Sequence, residues 1–402
     1  MRLAQKAKPM KVCFVVDKFP SLSETFVLDQ IAGCLDRGME VGVVCNETTF
    51  GKELNVDDAR WRNLPEGVAR WWGGLAPLRP AMRNWTGPLW DKASTAFDIA
   101  FAGKLEKYDV IVAHFGNNGL RVARAKKRRR IAAPLVTIFH GHDVGAPMHD
   151  GTLSRYGVVF EEGALQLPVN GFFREALIEA GAAAERVAVH HMGVNTDEIG
   201  FLPAERGAGV LSLISVCRLT EKKGIGYALQ ALAELRTQRP DIDWSYTVIG
   251  GGETAEQTRD LARKLNLLDR VAFLGPLPHR EVKQRLAGAH AFVLPSVMAR
   301  DGDLEGIPVA LMEAMAAGLT VVSTYHSGIP ELIEDGRTGL LAPERDVHAL
   351  ADRLVWIAEN PEACADIARA ARRKVEDDFD STRLNDAFAD TLFRLVAARA
   401  AA

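Results

Sequence analysis

Short apolar runs alternate with helix-forming segments along this chain, and the runs fall into two sets. In the first half they are Val12–Val16, Val41–Cys45, Val110–Ala113, Leu135–Ile138 and Val187–His190. In the second half they are Leu211–Val216, Trp244–Ile249, Val271–Leu274, Ala291–Leu294 and Thr320–Ser323. A strand with one wet face alternates apolar and polar residues, whereas a run that is apolar throughout belongs to a strand covered on both faces. The intervening helices supply that cover, so each set predicts a parallel sheet in a Rossmann-like α/β domain. With 402 residues, two domains of about 200 residues are expected rather than one core. The expected divisions are residues 1–202, residues 203–375 and a helical tail over 376–402. The polar, Pro- and Gly-bearing stretch Phe201–Gly209 reads as the linker.

Composition removes several function classes. The net charge of -3 argues against a nucleic-acid binder, which usually carries a strongly basic domain. Cys13, Cys34, Cys45, Cys217 and Cys364 stand singly, with no C-x-x-C pair. Neither a zinc site nor a disulfide framework is predicted, and a reducing cytoplasm is expected. The amino-terminal MRLAQKAKPMK lacks the apolar core of a signal peptide, and no apolar run reaches the ~20 residues that span a bilayer.

The stretch Pro295–Pro343 carries the chemistry. Glu305 and Glu313 stand eight positions apart, separated by a turn through Gly306, Ile307 and Pro308. Pro308 suits an early helical position, where its missing N–H has no intrahelical partner. One carboxylate then lies in the loop and the other in the second helical turn. Free N–H groups at a helix start attract anions, phosphate above all. Upstream, Arg218 and Lys223 lie in VCRLTEKKG, after one strand and before a helix. Two cations at such a turn suit a diphosphate, the Arg as a planar fork and the Lys as a point charge. Lys222 competes with Lys223 for that role. Asp301-Gly302-Asp303 has the form of a D-x-D metal motif, but a surface loop is the favoured reading and no metal site is expected.

With these residues in view, the chain resembles the retaining glycosyltransferases of family 4, which have the GT-B fold. The resemblance implies two Rossmann-like domains facing across a cleft, with the C-terminal helix returning to the first. It implies that Glu305 approaches the transferred sugar, that Glu313 binds the ribose and that Gly306 and Ile307 contribute to donor binding. Arg218 and Lys223 would then take the departing diphosphate. The family usually reads E-G-F-G where this chain reads E-G-I-P, so Pro308 removes one backbone donor. In the first domain, Thr137-Ile138-Phe139-His140-Gly141-His142-Asp143 resembles the family's T-x-H-G-x-D element. His140 matches the histidine near the donor sugar and joins Glu305, Arg218 and Lys223 as a catalytic candidate. His142 and Asp143 are acceptor-side candidates, as are Ser23 and Glu24 in FPSLSETF, a segment similar to a subgroup that builds exopolysaccharides such as colanic acid. His114-Phe115-Gly116 and Val189–Asn195 fit the same subgroup.

The implied activity is metal-independent, retaining transfer of a hexose from a UDP- or GDP-sugar to a lipid-diphosphate-linked oligosaccharide, with no cofactor. A non-catalytic scaffold, or a GT-B epimerase or phosphorylase, is the rival reading. Arg121–Arg130 holds seven cations in ten residues, and Trp61, Trp71, Trp72, Trp85 and Trp90 cluster upstream. Together they suit an anionic membrane surface, at the inner face of the cytoplasmic membrane.

Overall fold

The computed structural model describes residues 8–21, 24–48, 68–70, 102–129, 131–203 and 209–401. The chain divides into two compact units, Met1–His190 with Thr382–Ala402, and His191–Ser381. Ser23 and the five clustered tryptophans lie outside the described residues.

The first unit holds strands β1 (Lys11–Phe19), β2 (Glu40–Thr48), β3 (Val68–Arg70), β4 (Val110–His114), β5 (Leu135–Phe139) and β6 (Leu165–Pro168). They form one sheet in the order β3-β2-β1-β4-β5-β6, and every pairing is parallel. All five residues of β4 and of β5 are buried, as continuous apolar runs require. Val187–His190, expected as a strand, makes a single bridge from Val187 to Gln166. Its N–H groups reach β6 only through Ala188 and His190, so no ladder forms. The sheet edge is instead β6, whose LQLP sequence lacks a strand's apolar continuity.

The C-terminal helix Ser381–Ala401 contributes its residues from Thr382 onward to this unit. Asn385 donates to the carbonyl of Asp29 at 3.1 Å, and Arg37 pairs with Asp386. Phe388, 1% exposed, stacks on His190 at 5.1 Å.

The second unit repeats the topology with β7 (Leu211–Val216), β8 (Trp244–Ile249), β9 (Val271–Gly275), β10 (Ala291–Val293), β11 (Thr320–Thr324) and β12 (Leu340–Ala342). Their order is β12-β11-β10-β7-β8-β9, again all parallel. Strand order reverses between β7 and β10, as it does between β1 and β4. In open parallel sheets that point, outside the carboxyl ends of the strands, is where ligands bind. Within this unit the two ends of the segment are tied together. Val194 pairs with Asp380, and the Thr196 hydroxyl donates to the Asp380 carboxylate at 2.6 Å.

Residues 121–129 of the basic segment form the end of helix Gly116–Arg129, and Arg130 lies outside the described residues. Arg124, Lys127 and Arg128 are exposed, and Lys127 pairs with Glu161 at 2.6 Å. Lys126 differs from them. Its ammonium donates to the carbonyls of Ile131 and Ala133, where it closes the chain leaving the helix. No helix among the described residues is long and apolar enough to cross a membrane.

Candidate functional site

In the second unit, β7 ends at Val216 and the chain passes through Cys217, Arg218 and a single turn at Glu221–Lys223 before the helix Ile225–Gln238. Gly224 makes this turn possible. Its φ is +67°, and a Cβ there would lie 1.8 Å from the carbonyl oxygen of Pro295. The β7 turn is thereby pressed against the chain leaving β10, and Lys223 is delivered to Glu305. Lys223 Nζ lies 2.7 Å from Glu305 Oε1, with both side chains largely buried. Burial alone would raise the Glu305 carboxyl. The ammonium groups of Lys223 and then Lys222 outweigh it and hold the carboxyl below its ordinary value.

Lys222, the alternative cation, points elsewhere. It bonds the Asp303 carboxylate at 3.0 Å and the Leu304 carbonyl at 3.2 Å. The D-x-D-like segment is thus engaged internally, for Asp301 also accepts the Asp303 N–H at 3.0 Å. No group of three or more His, Cys, Asp or Glu among the described residues is arranged to hold a metal. Arg218 is exposed at the strand end. Burial pushes the adjacent Cys217 thiol up to about 12, so it remains protonated and is a poor nucleophile at neutral pH.

The helix Val309–Ala317 starts one residue later than expected, with Pro308 at the cap position. Pro308 has extended ψ, 120°, no side chain caps the helix, and the Leu311 N–H turns back to the Pro308 carbonyl at 3.0 Å, so any N–H groups offered to a ligand are those of Val309 and Ala310. Ile307 belongs to the unit's apolar core, 8% exposed, so only its backbone is available to a ligand. Glu313 lies in the second turn of the helix, as expected. It lines a cavity of about 260 Å³ with Leu202, His279, Val282, Lys283 and Ala317 among others, a lining that includes neither Lys223 nor Glu305.

The loop of Glu305 also contacts residues the sequence did not single out. His326 accepts its N–H, Ser327 donates to its carbonyl, and Ser296 lies 3.5 Å from its carboxylate. These come from the ends of β10 and β11, neighbours in the sheet but distant in the chain. A polar side chain just after an apolar strand run is the only local signal they carry.

In the first unit, His140 follows β5 and is ringed by aromatic side chains. Phe115 lies 4.5 Å away and Phe26 4.6 Å away, centroid to centroid, and His114 stacks on it at 5.2 Å. Its Nε2 is 3.1 Å from His114 Nδ1. Burial lowers His114 to about 3; burial, then the His114 ring, holds His140 well below its usual range. Both rings are neutral at pH 7. Phe115 has φ +69°, a conformation unusual for a side chain of its size.

Asp143, the other acceptor-side candidate of this turn, is turned inward. It is 3% exposed, and its carboxylate accepts the N–H groups of Gly116, His140 and Gly141 at 2.8–3.0 Å. Burial raises its carboxyl despite these bonds. Both oxygens are used in joining the β4 and β5 loops, so Asp143 shapes the His140 turn from within. His142 opens the next helix and is exposed. Glu24 occupies the cap position of helix Thr25–Asp36, but its side chain makes no capping bond.

Comparison with known proteins places this geometry in a family. The model for glycosyl transferases group 1 matches residues 208–374, and that for the glycosyl transferase 4-like domain matches residues 23–193. The chain is 36% identical over 407 residues to a protein named as a colanic acid biosynthesis glycosyltransferase, WcaL of Escherichia coli K12, covering 95% of this chain and 99% of that one. It is 33% identical over 408 residues to the amylovoran biosynthesis glycosyltransferase AmsK of Erwinia amylovora, covering 96% and 100%. Among solved structures, HepE of Anabaena, crystallised with UDP and glucose, superposes with a TM-score of 0.74 at 22% identity, over 96% of this chain and all of that one. Sucrose-phosphate synthase of Thermosynechococcus elongatus gives 0.75 at 18% identity, over 97% and 100%. Two successive six-stranded Rossmann-like sheets are the GT-B architecture, and with relatives matched over nearly their whole length the chain belongs to the group 1, family 4-like glycosyltransferases.

Proposed function

We propose that the protein transfers a hexose from a nucleotide-diphosphate sugar, with retention of anomeric configuration, to a lipid-linked acceptor in exopolysaccharide or lipopolysaccharide assembly. The observation that carries this reading is the Lys223–Glu305 pair at the β7/β10 switch point, in the loop leading to the uncapped start of helix Val309–Ala317. Breaking the anomeric C–O bond leaves charge on the diphosphate. Arg218, Lys223 and the helix N–H groups are the means of taking up that charge. Preorganised donors of this kind are each worth roughly 2.7–4 kcal/mol elsewhere. Donor binding would draw Lys223 from Glu305 towards phosphate and release the carboxylate to sugar hydroxyls. The resemblance supports front-face substitution, in which the leaving phosphate takes the acceptor's proton. Side-chain cations take the part a divalent ion would otherwise play. The names of the Escherichia and Erwinia relatives support an exopolysaccharide product. The UDP in the HepE structure supports a nucleotide-sugar donor. Such an acceptor places the enzyme at the inner face of the cytoplasmic membrane.

The test is nucleotide release from UDP-glucose, UDP-galactose, GDP-mannose and GDP-fucose, with and without chelator. One donor should be turned over slowly, the rate should survive chelation, and NMR of the transferred sugar should show the donor's anomeric configuration. Turnover of none would favour a binding subunit. Loss in chelator, restored by Mg²⁺ or Mn²⁺, would make Asp301 and Asp303 ligands.

A further inference from the structure

The peptide that carries Glu305 is held by a polar chain running across three successive strand ends. Its N–H donates to Nε2 of His326 at 3.1 Å, and its carbonyl accepts the Ser327 hydroxyl at 2.6 Å. His326 Nδ1 lies 2.6 Å from Oε1 of Glu344, and Oε2 of Glu344 accepts the Met298 N–H at 2.9 Å. His326 and Ser327 follow β11, and Glu344 follows β12. Met298 lies in the loop that leads from β10 to Glu305.

Proton counting assigns the ring. A backbone N–H only donates, so the His326 Nε2 that receives it must be the lone-pair nitrogen. The ring proton is therefore on Nδ1, donated to the Glu344 carboxylate. His326 is fully buried, so water cannot replace either bond. Ser327 beside it has φ +48°, a conformation rarely kept by a non-glycine residue without compensating contacts. Its hydroxyl bond to Glu305 is such a contact.

We propose that His326, oriented by Glu344, is the positioning residue of Glu305, fixing the peptide from which the carboxylate reaches Lys223. His326 touches no substrate itself. Its kinetic consequence rests on the glycosyl-transfer reading above, but its geometry does not. If the ring is lost, a buried N–H is orphaned and the loop must move to satisfy it. A displacement of about 1 Å at a reacting group costs up to ~100-fold in rate.

Two substitutions separate the ring's nitrogens. In His326→Gln the amide oxygen reaches the place of Nε2 and accepts the Glu305 N–H. In His326→Asn the shorter amide still donates to Glu344 but offers nothing to Glu305. ¹⁵N-histidine NMR of the full chain, with His326→Gln as the assignment control, should show wild-type His326 as the Nδ1–H tautomer. Hydrogen exchange at the Glu305 amide should be slow in wild type and in His326→Gln, and at least ~10-fold faster in His326→Asn. Turnover of the donor should fall ~100-fold in His326→Asn and less than ~10-fold in His326→Gln, with UDP and GDP affinity unchanged in both. A protonated or Nε2–H ring in wild type overturns the proposal, and that measurement needs no variant to fold. Equal Glu305 exchange in all three proteins, or equal turnover in the two variants, also overturns it. If wild type turns over no donor, the glycosyl-transfer reading fails, while tautomer and exchange still decide the positioning role.

Discussion

At the scale of single residues, the pair Lys223–Glu305 is the most consequential contact. Glu305 is 5% exposed, so Lys223→Ala leaves a carboxylate with neither water nor its nearest counter-ion. Removing one partner of a buried pair typically costs about 3–5 kcal/mol, and Lys222 nearby should reduce this towards ~2–3 kcal/mol. The double variant Lys223→Ala/Glu305→Gln should lose less than the sum of the two single changes, as urea denaturation at pH 7 would measure. A histidine gives the second residue-scale prediction. His114 has its pKa lowered from 6.5 to about 3 by burial. Between those values the unfolded chain binds a proton that the folded one does not, so stability falls as pH drops below 6.5. At pH 5 the loss from this group is about 2 kcal/mol relative to pH 7. His140 acts with the same sign. Denaturation midpoints at pH 5 and 7 should differ less in His114→Phe than in wild type. Residue roles were only partly legible in the sequence. Type and spacing marked Glu305 and Lys223 as candidates, and a family resemblance marked His140, but the commitment of Asp143 to three backbone N–H groups is visible only once β4 and β5 lie side by side.

At the scale of elements, the turn after β7 is set by one glycine. Gly224→Ala would combine a positive φ with a Cβ 1.8 Å from the Pro295 carbonyl oxygen. The turn would have to shift, taking Lys223 with it. The expected result is more than ~1 kcal/mol of lost stability together with a loss of turnover larger than that alone explains. Thermal melting and donor turnover, measured on the same preparation, check this. Strand prediction worked for the central strands buried on both faces, and also for the edge strand β9, although its Ala272 and Leu274 are exposed rather than covered as expected. Runs such as IVA in β4 and VTIF in β5 leave no room for another reading. It missed β3, β6 and β12, which are three or four residues long and sit at or next to sheet edges, too short to show a period. It took Val187–His190 for a strand because apolar content alone does not reveal whether a partner ladder exists.

At the scale of the whole molecule, the proposed membrane surface reduces to a testable helix end. Lys126 is a structural cation, so the informative variant keeps it and changes Arg124, Lys127 and Arg128 to Gln. Each exposed cation near an anionic bilayer is worth about 1 kcal/mol, so loss of the three should weaken binding to anionic vesicles on the order of 100-fold. The thermal midpoint should move little, since the Lys127–Glu161 pair is exposed. Co-sedimentation with anionic and neutral vesicles, at low and high salt, decides it; equal binding to both would leave the helix simply solvated. The sequence by itself determined two parallel sheets, the helices that cover them and the turn carrying Arg218 and Lys223, because strand burial and turn chemistry are written in neighbouring residues. Tertiary structure decided which of two adjacent lysines meets Glu305, that Lys126 turns inward, and that His326 and Glu344 hold the Glu305 peptide. Those outcomes depend on which strand ends lie next to one another, and parallel sheets bring together residues that no local pattern connects.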